Sequence, residues 1–286
     1  MADALSVDKL CKTYPGFALR DVSFSLPEGY IMGFVGQNGA GKTTTIKCVL
    51  NMVAREGGTV EVLGRDAAAN DVAVKQDVGV VFDQPFYPAG WTVAQVAAAL
   101  HPFYARWDTA LFNSYIDRFD LPRSKKVRDL SRGMGMKLML ATALSHHARL
   151  LILDEPTSGL DPVARDDLLD VLAGYISGGD SSVLFSTHIT EDLSRIADYI
   201  TIIDAGRIVF TGTKDDLAET YRMIHGGPGQ LNGAARDHAI GLRTTETGFS
   251  ALMRATDALS LPSAIAQEDP SIDDVLIHIA KQRSAR

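Results

Sequence analysis

The sequence predicts an α/β fold built around a phosphate-binding loop, and three observations carry that prediction. Gly36-Gln37-Asn38-Gly39-Ala40-Gly41-Lys42-Thr43 fits the pattern G-x-x-x-x-G-K-[ST], in which glycines let the backbone close around phosphate oxygens and turn N–H groups inward. The loop lies between an apolar run, Ile31–Val35, that reads as a buried strand, and Thr44–Leu50, which reads as a helix aimed at the anion. Two later apolar runs, Leu150–Leu153 and Val183–Phe185, also end in polar residues. Strands of an open α/β sheet gather ligands at their carboxyl ends in this way.

Each element follows in order. Residues 4–30 alternate apolar and polar positions, among them Val22, Phe24 and Leu26, which predicts an antiparallel sheet beside the core. In the loop, Lys42 can reach the β- and γ-phosphates and Thr43 can hold Mg²⁺. Val78–Phe82 reads as another strand, followed by Asp83-Gln84-Pro85. Residues from about 86 to 145 read as helices: Thr92 caps one through Phe103, and a second runs from about Thr109 to Phe119. Ten of the 21 aromatic residues fall between Phe82 and Phe119, so this segment either fills its own core or offers aromatic anchors to a partner.

Leu130-Ser131-Arg132-Gly133-Met134 precedes a helical pattern through Leu138, Ala141 and Leu144. A serine hydroxyl, a glycine N–H and a helix N-terminus together suit an anion, although any N-capped helix looks similar. Asp154 and Glu155 end the Leu150–Leu153 strand. There Asp154 can hold Mg²⁺ and Glu155 can polarise an attacking water as general base; the plainer alternative is a helix-capping pair of acids. His188 follows Val183–Thr187 at a strand end, where it could contact a γ-phosphate. Tyr199–Ile203 and Arg207–Thr211 flank Asp204-Ala205-Gly206, a hairpin signal. Thr213 and Asp216 make a capping pair for a helix through Arg222, and Gly226-Gly227-Pro228-Gly229 breaks the structure. In the remaining tail, Ile272, Val275, Leu276 and Ile279 recur at helical spacing after Pro270-Ser271.

Composition narrows the classes. The 286 residues carry a net charge of −7, which gives no support for broad nucleic-acid binding. No apolar run approaches the ~20 residues of a membrane-spanning helix, and the start, Met1-Ala2-Asp3-Ala4-Leu5, lacks the basic and apolar regions of a signal peptide. Cys11 and Cys48 sit in apolar contexts and read as reduced core residues of a cytosolic protein.

The order and spacing of these motifs resemble those of the ATP-binding-cassette (ABC) ATPases over about residues 4–215, most specifically at Asp154-Glu155-Pro156-Thr157-Ser158-Gly159-Leu160-Asp161. The resemblance implies a P-loop NTPase core with an antiparallel β subdomain, an inserted helical subdomain at about 86–145 and a small C-terminal extension, 216–286. It implies that Gly36–Thr43, with Thr44, binds the phosphates of ATP, that Thr43 and Asp154 hold Mg²⁺, and that Glu155 is the catalytic base with His188 as switch histidine. It makes Ser131 and Gly133 the signature contacts to phosphate, Ser158–Asp161 the D-loop, and Tyr14 the aromatic that stacks on adenine. Three positions depart from the family pattern: Arg132 and Met134 in the signature, and Asp83 where the Q-loop glutamine usually stands, with Gln84 one residue later. The expectation is that Asp83 faces the metal and the attacking water, because it comes first past the strand and alternation would point Gln84 away.

On this resemblance the chain is the ATP-hydrolysing subunit of a transporter. It works with a separate transmembrane permease, in an exporter-like branch, and sits at the inner face of the cell membrane through that permease. Two copies, identical or not, would close head to tail around ATP. The competing expectation is a soluble ABC ATPase in translation, DNA maintenance or cofactor assembly. Translation types usually carry two cassettes and DNA-maintenance types a long coiled-coil insertion, and neither occurs in this sequence.

Overall fold

Alternation in the first thirty residues produces the hairpin of β1 (Asp3–Tyr14) and β2 (Phe17–Pro27), in which Leu5, Leu10, Val22 and Leu26 are fully buried. β3 (Ile31–Val35) is buried at every residue, as a strand covered on both faces requires. It runs into the phosphate loop and α1 (Lys42–Val49). β4 (Gly57–Val62) and β5 (Arg65–Asp66) return to the hairpin and complete an antiparallel sheet in the order β2-β1-β4-β5. α2 (Asp71–Asp77) leads into β6 (Val78–Val81). The computed structural model describes residues 2–284.

The helical segment follows its caps. Thr92 opens α3 (Val93–Leu100) with a capping box to Gln95, Asp108 caps α4 (Thr109–Arg118), and Ser131 caps α5 (Arg132–Leu144). α3 stops three residues short of the expected end at Phe103. Pro102 has no N–H to continue the helical ladder, and His101–Phe103 form a 3₁₀ turn instead.

β7 (Leu150–Asp154), α6 (Pro162–Ile176), β8 (Ser182–Thr187), α7 (Thr190–Ile196) and β9 (Tyr199–Asp204) complete the core, and Ala205 and Gly206 then turn the chain into β10 (Arg207–Thr213). Both turn residues have positive φ, as a type I′ hairpin turn demands. The central sheet runs β10-β9-β3-β8-β7-β6, and the pairs β9·β3, β3·β8, β8·β7 and β7·β6 are parallel. Val35 pairs with Thr187, and Asp154 with Ser186. The carboxyl ends of β3, β8 and β7 are therefore level, and the residues that follow them converge.

The chain divides into two compact units between Ile208 and Val209, within β10. The second contains α8 (Lys214–Thr220), β11 (Tyr221–Gly226), α9 (Gly233–Asp237), β12 (Ile240–Thr245), β13 (Gly248–Arg254), α10 (Ala255–Ala258), β14 (Ala266–Glu268) and α11 (Ile272–Ser284). Thr213 and Asp216 form the expected capping box, but α8 ends at Thr220 because Tyr221 starts a strand. The four strands form one antiparallel sheet, β12-β13-β11-β14, over a small core of Ile224, Leu231, Phe249, Met253 and Ile265. α11 is the helix expected after Pro270-Ser271, and it buries Ile272, Val275 and His278.

Candidate functional site

The site begins where β3 ends. Gly41 occupies the left-handed region at φ +119 as the N-cap of α1. A Cβ there would come within 2.7 Å of the Leu19 side chain, so only glycine fits this approach of the loop to β2. Lys42 is buried, and its Nζ donates to the carbonyls of Gly36 (2.6 Å) and Gln37 (3.4 Å). These bonds fold the lysine back over the loop, with its charge at the loop's mouth.

Asp154 ends β7 and is 4% exposed. Burial raises its carboxyl above the usual range, while hydrogen bonds from Thr43 and Ser186 pull it back down. Thr43 Oγ1 donates to Oδ2 at 2.7 Å, and Ser186 Oγ donates to Oδ1 at 3.0 Å. Glu155 comes next at φ +54, a region that costs a non-glycine residue about 1–2 kcal/mol. Its N–H donates to the Ser186 carbonyl. Its carboxylate lies between Lys42 Nζ, 3.0 Å from Oε1, and His188 Nδ1, 2.6 Å from Oε2. Oε1 makes this ionic contact without an aligned hydrogen bond, so a buried acceptor faces the loop's mouth. Strained backbone of this kind persists where the surroundings over-determine it, and here three neighbours do so.

Thr43, Asp154, Glu155 and His188 border one cavity of about 850 Å³, which Asn38, Asp83 and Gln84 also line. Away from these residues the cavity continues along Leu50, Met52, Val80, Phe86, Leu100 and Tyr104.

The family model described as ABC transporter matches residues 19–158. A daunorubicin resistance ATP-binding protein of Streptomyces coeruleorubidus is 31% identical over 98% of this chain and 96% of its own length. The chain belongs to the ABC transporter ATP-binding proteins. A Nod factor export ATP-binding protein of Rhizobium johnstonii is 29% identical over 96% of this chain and 94% of that protein. A solved structure of the ATP binding subunit of an ABC transporter superposes with a TM-score of 0.69 at 28% identity, covering 75% of this chain and 91% of that one.

As an ABC ATPase the chain binds and hydrolyses ATP in a transport cycle, and its motif residues divide into two groups. Lys42, Thr43, Asp154, Glu155 and His188 meet in one bonded cluster. The remaining expected contacts stand apart from that cluster's hydrogen bonds. Ser131 is exposed and caps α5 by accepting from the Met134 N–H at 3.2 Å. Gly133 follows in the first turn of α5, and a Cβ there would come no closer than 3.6 Å to Leu160. Asp161 caps α6, and hydrogen bonds from the Ala164 and Val163 N–H groups hold its carboxyl below the usual range. Tyr14 ends β1 opposite Phe17, exposed, with Lys12 Nζ 5.4 Å from its ring centroid.

The Q-loop differs from the expected geometry. β6 ends at Val81, so Phe82 is first past the strand and alternation does not separate Asp83 from Gln84. Both are exposed and both line the cavity. Ser186 joins the bonded cluster, and sequence reasoning did not single it out. It bonds Asp154 through its hydroxyl and Glu155 through its carbonyl, and a lone serine near the end of an apolar strand was its only signal.

Proposed function

We propose that this chain powers a separate membrane permease for export, through the cluster at the carboxyl ends of β3, β7 and β8. The observation that carries this reading is the Glu155 carboxylate, tied to His188 on one oxygen and to Lys42 on the other, one residue from a buried Asp154 that Thr43 also bonds. Lys42 and the loop N–H groups would bind the β- and γ-phosphates. Glu155 Oε1 would take the proton from the water that attacks the γ-phosphorus, and ADP would depart along the opposite face. His188 would hold Glu155 Oε2, so that the other oxygen faces the water.

Mg²⁺ fits the donors present. Among the described residues no cluster of three or more His, Cys, Asp or Glu could hold a metal, but the Thr43 hydroxyl and the Asp154 carboxylate lie 2.7 Å apart. Those two would hold the ion together with phosphate and water oxygens. When bound, it would neutralise charge on the phosphates. Asp83 lines the same cavity and, on the sequence expectation, would face the ion as well.

By the family resemblance, residues 4–215 form the ATPase domain and 216–286 an extension. Two such subunits, identical or not, would close head to tail. Ser131, Gly133 and Asp161 of one would then complete the γ-phosphate site of the other, with Tyr14 on the adenine. Among the described residues no helix is long and apolar enough to cross a membrane. The proposal gives that task to a permease at the inner face of the membrane, docked along the apolar part of the cavity. Export is supported by the relatives named for drug resistance and Nod factor export. Isolating the tagged chain from detergent extracts tests this reading. Co-purification with a polytopic membrane protein is expected; recovery only with ribosomes or a soluble complex would overturn it in favour of a non-transport role.

A further inference from the structure

We propose that Arg132 is a positioning residue for ATP hydrolysis, bracing the loop that carries Glu155 by packing across Gly159 of the same subunit. Arg132 is the first residue of α5, directly after its Ser131 cap. A methyl group placed on Gly159 would lie 2.9 Å from Arg132 Nη1, 3.2 Å from Cζ and 3.3 Å from Cδ. The three nearest atoms it would meet thus all belong to one side chain. The arginine's last methylene and guanidinium therefore lie against the space that a side chain at position 159 would take. Among the described residues no carboxylate pairs with Arg132 within 4.0 Å, so no acid draws it away from the loop.

The loop is built to transmit that contact. Glu155 at φ +54 opens it, Gly159 at φ +71 turns it, and the Asp161 cap on α6 closes it. Between them the Ser158 N–H donates to the Glu155 carbonyl and the Leu160 N–H to the Thr157 carbonyl. Thr157 is fully buried. A shift at Gly159 therefore cannot be absorbed in slack backbone and reaches Glu155 through two linked turns. Arg132 and Ser158 line the same cavity as Glu155 and His188. Arg132 thereby sets the distance between the Ser131 end of α5 and the base, which is where displacement should slow the chemical step. Misplacing a reacting group by ~1 Å can cost ~10²-fold.

The inference rests on the reading of Glu155 as the base, and a double-mutant cycle on the full chain separates the two. Arg132→Ala, Gly159→Ala and the double variant are compared in kcat and KM for ATP, in affinity for a non-hydrolysable ATP analogue, and in Tm. The strain of alanine at φ +71 is present in both backgrounds and cancels in the cycle. Arg132→Ala is expected to lower kcat about tenfold, with KM and analogue affinity within about twofold of wild type. Gly159→Ala should cost a similar factor, and the double variant should be at most about twofold worse than either. Arg132→Lys keeps the charge without the flat contact and should resemble Arg132→Ala.

Losses that multiply in the double variant would overturn the proposal, as would an unchanged kcat in Arg132→Ala. A loss falling on KM and restored by Arg132→Lys would also overturn it, because it would make Arg132 a phosphate-binding cation. If the Gly159 variants do not fold, the kcat-against-KM split of Arg132→Ala and Arg132→Lys decides alone. Glu155→Gln is run alongside: undiminished hydrolysis there would refute the base assignment, whatever the Arg132 result.

Discussion

The two units differ in what they bury. The first encloses Lys42, Asp77, Asp154, Asp192 and His146, while the one buried polar side chain among the described residues of the second is His278. Buried charge is costly unless paired. The first unit meets much of that cost with bonds: Lys42 to loop carbonyls, Asp154 to two hydroxyls, Asp77 to Arg65 and Arg106, while Asp192 faces Arg165 at 3.6 Å with one oxygen left without a hydrogen bond. In the second unit His278 donates from Nδ1 to the Gly241 carbonyl at 2.8 Å, and the surrounding core is apolar. Among the described residues, buried polar side chains thus concentrate in the first unit, and the interior of the second is almost wholly apolar.

Gly241→Ala should have the largest effect. A Cβ there would lie 1.9 Å from the His278 carbonyl oxygen, at φ +58. Steric conflict and backbone strain together should cost about 2–5 kcal/mol. The expected result is a lowered unfolding transition for the second unit with ATP affinity unchanged. Loss of ATP affinity in the folded fraction would show that the units are not separable in function.

His146 comes next. Its pKa is lowered from 6.5 to about 4, chiefly by burial; the hydrogen bond to the Gln76 carbonyl opposes the shift and the Arg106 charge adds to it. The unfolded chain therefore binds a proton below about 6.5 that the folded chain refuses until about 4. Stability should fall as pH drops through that window, by at most about 3 kcal/mol, and change no further from this group below it. Replacing His146 with Phe should flatten the profile of Tm against pH between those values. An unchanged slope would show that His146 is protonated when folded.

Lys42→Ala removes a charged donor from the loop's mouth and leaves Glu155 with His188 alone. The loss of one charge-assisted hydrogen bond, about 1.5–3 kcal/mol, should weaken ATP-analogue binding ~10–150-fold in calorimetric titration. Unchanged affinity would contradict the loop's role.

The smallest effect is expected at the Q-loop. Asp83→Ala should slow hydrolysis a few-fold and shift the Mg²⁺ optimum, since carboxylates near one another need a cation between them. Gln84→Ala should do little. The reverse ranking in Mg²⁺-titrated ATPase assays would assign the metal-facing role to Gln84.

What was legible in the sequence follows a physical divide. The phosphate loop and Asp154-Glu155 were readable because the chemistry fixes residue types at adjacent positions. Thr92 and Thr213 were readable as caps, and Ala205-Gly206 as a turn, because those signals are local. The second unit's sheet was not legible. Met223 pairs with Glu268 and Ile240 with Leu252, and β14 has only three residues, so its pattern is set by partners distant in the chain. The same holds within the site. Ser186 and the packing of Arg132 on Gly159 depend on which strand ends and loops come together. The Q-loop was legible only in part: β6 stops at Val81, one residue before the expected strand end at Phe82, so strand alternation does not tell Asp83 from Gln84.

On this reading the first unit's chemistry turns on a base, Glu155, held between Lys42 and His188. The most direct test is Glu155→Gln, with hydrolysis and analogue binding measured on the same preparation. Glutamine keeps the shape but cannot take the proton, so hydrolysis should fall ~10²–10⁴-fold while the ATP analogue still binds. Turnover within about twofold of wild type would contradict the account, because general-base loss is far costlier than that.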